Sequence, residues 1–124
     1  MPKMKDKKID ILGTTYYITF KNYEDDSAFE KRAIMGYCNL YDKVIVICNM
    51  NTYPGYENER DSTLTVLTKE CIRHEIVHAS LAESGLMSSS LSYGGAWADN
   101  EEMIDWIALQ MPKIYKVWES AGAI

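Results

Sequence analysis

The chain contains two histidines, and they stand four apart around a glutamate: His74-Glu75-Ile76-Val77-His78. On a helix, residues i and i+4 lie one turn apart on the same face. Both imidazoles can then reach one ion at about 2.0–2.1 Å. Glu75, tilted around the helix beside the first histidine, is placed to hydrogen-bond a water on that ion without being a ligand, which is the position of a general base. A lone helix histidine most often satisfies a local hydrogen bond. Two histidines and a glutamate on an apolar helix point elsewhere, because burying all three without an ion costs on the order of several kcal/mol in unpaired polar groups.

Catalytic zinc sites typically carry three protein ligands. With no further histidine, the third is Asp, Glu or Cys, and the best candidate lies in Asn100-Glu101-Glu102-Met103-Ile104-Asp105. Glu101 and Asp105 share a helix face. If Glu101 is a ligand, Asp105 one turn on can accept a hydrogen bond from a ligand histidine, the partner such histidines usually have. Glu102 points about 100° away around a helix, and with Asp105 at i+3 it stays open as the alternative. The plain reading of Glu101 is a carboxylate favoured by a helix N-terminus; its pairing with Asp105 favours the ligand. The donor types suit Zn(2+), and Mn, Co or Ni could occupy the same set.

These residues need rigid carriers. Residues 63–84 read as one long helix bearing the histidines. Asp61 or Ser62 is its expected cap, Gly85 its left-handed stop, and its apolar positions cover much of the circumference. Glu83 reads as a solvated helix carboxylate. A last helix is expected from Asp99, with Asp99 and Glu102 forming a capping box and with an interruption or kink at Pro112. Upstream, residues 9–12 and 15–20 flank Gly13-Thr14 and predict a hairpin with a type II′ turn. Tyr16, Ile18 and Phe20 share one face of it. Residues 36–40 and 44–48 predict a second hairpin with a well-buried β-branched half. Residues 27–33 suit a short helix, while 49–60 and the Ser/Gly-rich 88–95 suit loops.

Composition sets the class. The chain has 124 residues, 47% of them hydrophobic and 25% charged, as expected of one soluble globular domain spanning residues 1–124. The expected fold class is α+β: a small twisted β-sheet of about four strands packed on the histidine helix and closed by C-terminal helices. A net charge of -5 argues against nucleic acid or an anionic membrane as partner. No run approaches a membrane span or a secretory signal, so the expected compartment is the cytoplasm. Cys38, Cys48 and Cys71 have no CxxC spacing and read as reduced core residues. Cys71, three residues before His74, has a redox switch as its less favoured reading.

The run Arg73-His-Glu-Ile-Val-His78, followed by Asn100-Glu101-x-x-x-Asp105, resembles the gluzincin pattern, in which HExxH is completed by NExxxD as in thermolysin-like enzymes. Residues 36–114 are closer still to very small gluzincins (minigluzincins) and to the ImmA/IrrE-like metallopeptidases of phage and mobile elements. The phrases His78-Ala-Ser-Leu-Ala-Glu-Ser-Gly-Leu86 and Asp105-Trp-Ile-Ala-Leu-Gln-Met-Pro-Lys-Ile114 are similar to that group. HExxH alone is moderately specific, and with a correctly spaced Glu/Asp pair it is strong. The resemblance covers about two-thirds of the chain.

It implies His74, His78 and Glu101 as zinc ligands, Glu75 as general base and Asp105 behind a ligand. It also implies a zinc metallopeptidase, a hydrolase using a zinc-activated water, with peptide substrate pairing along Val44–Cys48 as an edge strand. One departure stands out. Thermolysin-like enzymes stabilise the oxyanion with a histidine or tyrosine, and no histidine is spare here. Tyr93 is the candidate, with Tyr37 and Tyr115 as alternatives. The rival expectation is a catalytically silent or latent zinc protein that acts as a binding or regulatory module, its metal capped by a donor from residues 113–124 such as Glu119.

Overall fold

The computed structural model describes residues 4–89 and 97–124. Its fold is α+β, a four-stranded mixed sheet with helices. Strands β1 (Lys7–Ile11) and β2 (Thr14–Lys21) form the first hairpin. A four-residue helix, α1 (Ala28–Lys31), precedes the second hairpin, β3 (Gly36–Asn39) and β4 (Val44–Cys48). The spatial order is β1-β2-β4-β3, with β2 and β4 parallel and the other pairs antiparallel.

The first turn differs from expectation by one residue. Ile11 pairs with Thr14, so Leu12 and Gly13 are the central residues, at φ 50° and 91°. Positive φ at both makes the turn type I′ rather than II′, and its twist matches that of the strands. Asp10 Oδ1 fixes it by accepting the Gly13 N–H at 2.8 Å. The facial alternation is as expected at its core: Tyr16 and Ile18 are buried and Tyr17 is exposed.

Alternation along β4 sends Ile45 and Ile47 to one face and Val46 and Cys48 to the other, and all four are buried. The first face, with Ile11, Tyr16 and Ile18, packs against the long helix α2 (Asp61–Glu83) through Leu64 and Ala79. The second face is covered by Phe29 of α1 with Tyr23, Ile34 and Tyr53 packed around it. Helix α2 begins two residues earlier than predicted, with Arg60 as its N-cap in extended conformation and no side-chain cap bond, so neither Asp61 nor Ser62 caps it. Gly85 takes the expected left-handed conformation at φ 84°.

Glu83 is not a solvated carboxylate. It accepts from Thr14 Oγ1 at 2.8 Å, from Tyr16 Oη at 2.6 Å and from Lys43 Nζ at 2.8 Å. The last turn of α2 is thereby clamped to both hairpins. The bonds from Lys43, then Tyr16 and Thr14, hold its carboxyl down from 4.5 to about 2. A depressed carboxyl pKa means that the unfolded chain binds the proton more readily. The clamp's contribution is therefore complete above about 4.5 and lost as pH falls toward 2. Denaturant midpoints measured across that window should fall more steeply for the wild type than for Glu83→Gln; parallel curves would contradict the assignment.

A short helix α3 (Leu86–Ser89) and a 3-10 turn at Trp97–Asp99 lead to the last helix, α4 (Glu101–Ser120). Its cap is Asn100, whose side chain accepts the Met103 N–H at 2.8 Å, and not Asp99. Pro112 does not interrupt it: α4 is one helix of 20 residues. Proline lacks the N–H that would bond the carbonyl four residues back, which is that of Ala108. Arg73 of α2 supplies the missing donor, with Nε 2.6 Å from the Ala108 carbonyl oxygen. Ile104 and Ala108 are buried along α4, so the helix is held on α2 at the turn that carries the histidines. Among the described residues no helix is long and apolar enough to cross a membrane.

Candidate metal centre

Helix geometry brings His74 and His78 to one face of α2, where their Nε2 atoms lie 3.2 Å apart. The first turn of α4 brings Glu101 across both. Its Oε2 is 3.0 Å from His74 Nε2 and its Oε1 is 3.1 Å from His78 Nε2. Three donors of nitrogen and oxygen type thus converge, and together they could hold a metal ion. A tetrahedral ion with ligands at about 2.0–2.1 Å holds its donors roughly 3.3–3.4 Å apart. The observed separations lie close to that, so the donor set fits such an ion in chemistry and in size.

Asp105, one turn along α4 from Glu101, reaches the other side of His74, with Oδ1 2.6 Å from Nδ1. A proton held on Nδ1 by that carboxylate leaves the Nε2 lone pair free for a cation. Removing it as Asp105→Asn should weaken metal affinity by about 10–100-fold, read by competition against a chromophoric chelator. Unchanged affinity would show that Asp105 does not orient His74. Sequence reasoning missed Asp99, whose Oδ1 lies 3.8 Å from His78 Nδ1. Its proximity to Glu101 in sequence was the available signal, obscured by its reading as a cap. Glu102 is not part of the donor trio; it lines a second groove with Met103, Asp105, Trp106 and Leu109.

Glu75 lies beneath the histidines and is 4% exposed. Its Oε1 is 3.8 Å from His74 Nε2, and its Oε2 has no hydrogen-bond partner among the described residues. Burial pushes its carboxyl above the usual range, with His78 and His74 pulling the other way. A buried carboxylate oxygen left unpartnered is costly, and a cation with a water beside it would satisfy this one.

The cluster opens on a cleft of about 320 Å³ whose other lining residues include Arg32, Gly36, Tyr37 and Cys38. The wall is formed by β3, which corrects one expectation. Val44–Cys48 is a central strand, paired with β2 on one side and β3 on the other, and cannot be an edge. The edge beside the cluster is Gly36–Asn39. Gly36 lets that strand approach α2, since a Cβ there would stand 2.7 Å from Cys71 Sγ and 3.1 Å from the Val46 carbonyl oxygen. Cys71 itself is packed in this contact, and burial pushes its thiol up to about 12, as it does that of Cys38. Neither is a thiolate at neutral pH, and the described cysteines are free.

Tyr93 lies outside the described residues. Tyr37 lines the cleft but gives its hydroxyl proton to Asp26 Oδ2 at 2.6 Å. Tyr115 stands fourteen residues beyond Glu101 on the same helix, about 21 Å along its axis. Glu119 is farther still, about 27 Å along, so continuous helix carries it away from the cluster and the tail does not cap the donors. Compared with protein-family models, with curated proteins and with solved structures, the chain matches none.

Proposed function

We propose that this chain is a zinc-dependent peptidase with a minimal gluzincin-type site. The observation that supports it most is the convergence of His74, His78 and Glu101 above a buried, half-unpartnered Glu75. His74, His78 and Glu101 hold the ion, and Asp105 sets the tautomer of His74. When bound, zinc supplies a Lewis acid for the scissile carbonyl and lowers the pKa of water toward 7. Glu75 accepts the proton of the attacking water and hands it to the leaving amine. Its burial excludes bulk water from that exchange, and its distance from the donor trio keeps it free of the ion.

Substrate lies extended along the outer edge of β3, in the cleft that this strand shares with the histidines. Main-chain pairing there gives affinity with modest sequence preference. The test is an unbiased peptide-cleavage screen on zinc-loaded protein, with metal content measured on the same sample. Cleavage that follows metal content is expected. Stoichiometric zinc without cleavage of any peptide would leave a non-hydrolytic binding module instead.

A further inference from the structure

The carboxylates that line the cleft are Glu75, Asp99 and Glu101, and one guanidinium, Arg32, lines it with them. Arg32 follows α1 as its C-cap, and Ala33 at φ 51° turns the chain toward β3. Among the described residues no carboxylate pairs with it. Its Cζ lies 5.8 Å from the centre of the Tyr37 ring instead. That ring is itself anchored: Tyr37 donates to Asp26, which accepts the Ala28 N–H at 3.0 Å and lies 3.6 Å from Lys21 Nζ. The guanidinium is therefore stacked on a fixed platform with its N–H fork uncommitted. A guanidinium fork matches a carboxylate in bidentate geometry, and although the charge of this one is felt by Glu75, it forms no ion pair with the acids that line the cleft.

We propose that Arg32 is a carboxylate-binding subsite of the cleft, selecting peptides that present an acidic side chain or a free C-terminal carboxylate at its Arg32–Tyr37 end. This rests on the reading of the cleft as a peptide site. An extended peptide paired with β3 passes both the histidines and Tyr37, so one chain can engage the donor cluster and the guanidinium together. Anionic substrate is otherwise disfavoured by a chain of net charge -5, which makes the guanidinium decisive for it.

The test uses matched peptides: Asp or Glu against Asn or Gln at each position, and free acid against C-terminal amide. The zinc-loaded wild type and its Arg32→Gln and Arg32→Lys variants are compared by kcat/KM. The same peptides are titrated for binding to Glu75→Gln and to Glu75→Gln/Arg32→Gln. The wild type should prefer a carboxylate over its amide by about tenfold or more, and the arm that carries the preference identifies the source of the carboxylate. Arg32→Gln should bring that ratio to near one, and Arg32→Lys should retain part of it. No preference in the wild type, or a preference that survives Arg32→Gln, overturns the proposal. Arg32-dependent binding of carboxylate peptides without cleavage would uphold it while removing the hydrolytic reading. Cleavage without a carboxylate preference would do the reverse, and neither cleavage nor binding would remove both.

Discussion

Replacing Glu75 by glutamine is expected to lower peptide hydrolysis by about 10²–10⁴-fold, the span of general acid–base contributions, while leaving bound metal unchanged. The two effects separate because of where the side chain sits. Its nearer oxygen is 3.8 Å from His74 Nε2, whereas Glu101 approaches both histidines at 3.0 and 3.1 Å. The amide keeps the shape of the buried side chain and removes the carboxylate proposed to accept the water's proton. Steady-state kcat/KM on a cleaved peptide, with metal analysis of the same preparation, reads both quantities. A variant as active as the wild type would exclude Glu75 as the base. A variant that loses its metal would place Glu75 among the ligands.

His78→Ala should abolish stoichiometric zinc binding, and with it the thermal stabilisation that zinc confers. An ion that binds only the folded chain adds about 4 kcal/mol when present at a thousand times its dissociation constant. For a domain of this size, that raises the melting temperature by on the order of 10 °C. The shift should vanish in His78→Ala and on chelation of the wild type. Glu101→Gln should reduce it strongly, because the amide replaces an anionic ligand, whereas Glu102→Gln should retain it, since Glu102 faces another groove. Scanning calorimetry with and without zinc measures all four. A full zinc shift in His78→Ala, or equal losses in the two glutamate variants, would contradict the donor set.

The histidine helix, its glycine stop and the two hairpins were legible because each carries a local signal. A long apolar stretch between a polar start and a glycine stop marked α2, and a continuous β-branched run marked β4. Errors fell where local rules compete. Asp61, Ser62 and Asp99 are all good caps by residue type, yet Arg60 and Asn100 occupy the cap positions because packing sets where each helix begins. Pro112 reads as a breaker until a donor from another helix, Arg73, satisfies the carbonyl it orphans. Glu83 reads as a surface charge until the hairpins deliver three donors to it.

The candidate site divides in the same way. Spacing alone placed His74, Glu75 and His78 one turn apart or beside one another, because helix geometry is a property of adjacent residues. The same rule put Glu101 and Asp105 on one face of α4. Only the tertiary structure decided how that face meets α2, bringing Glu101 rather than Glu102 to the histidines and Asp105 to His74. It alone made β3 the edge strand, since strand order depends on the parallel pairing of β2 with β4, a contact between residues far apart in the chain. It alone brought Arg32 to the cleft, from a stretch that the sequence marks only as a short helix, because that meeting depends on contacts between residues far apart in the chain.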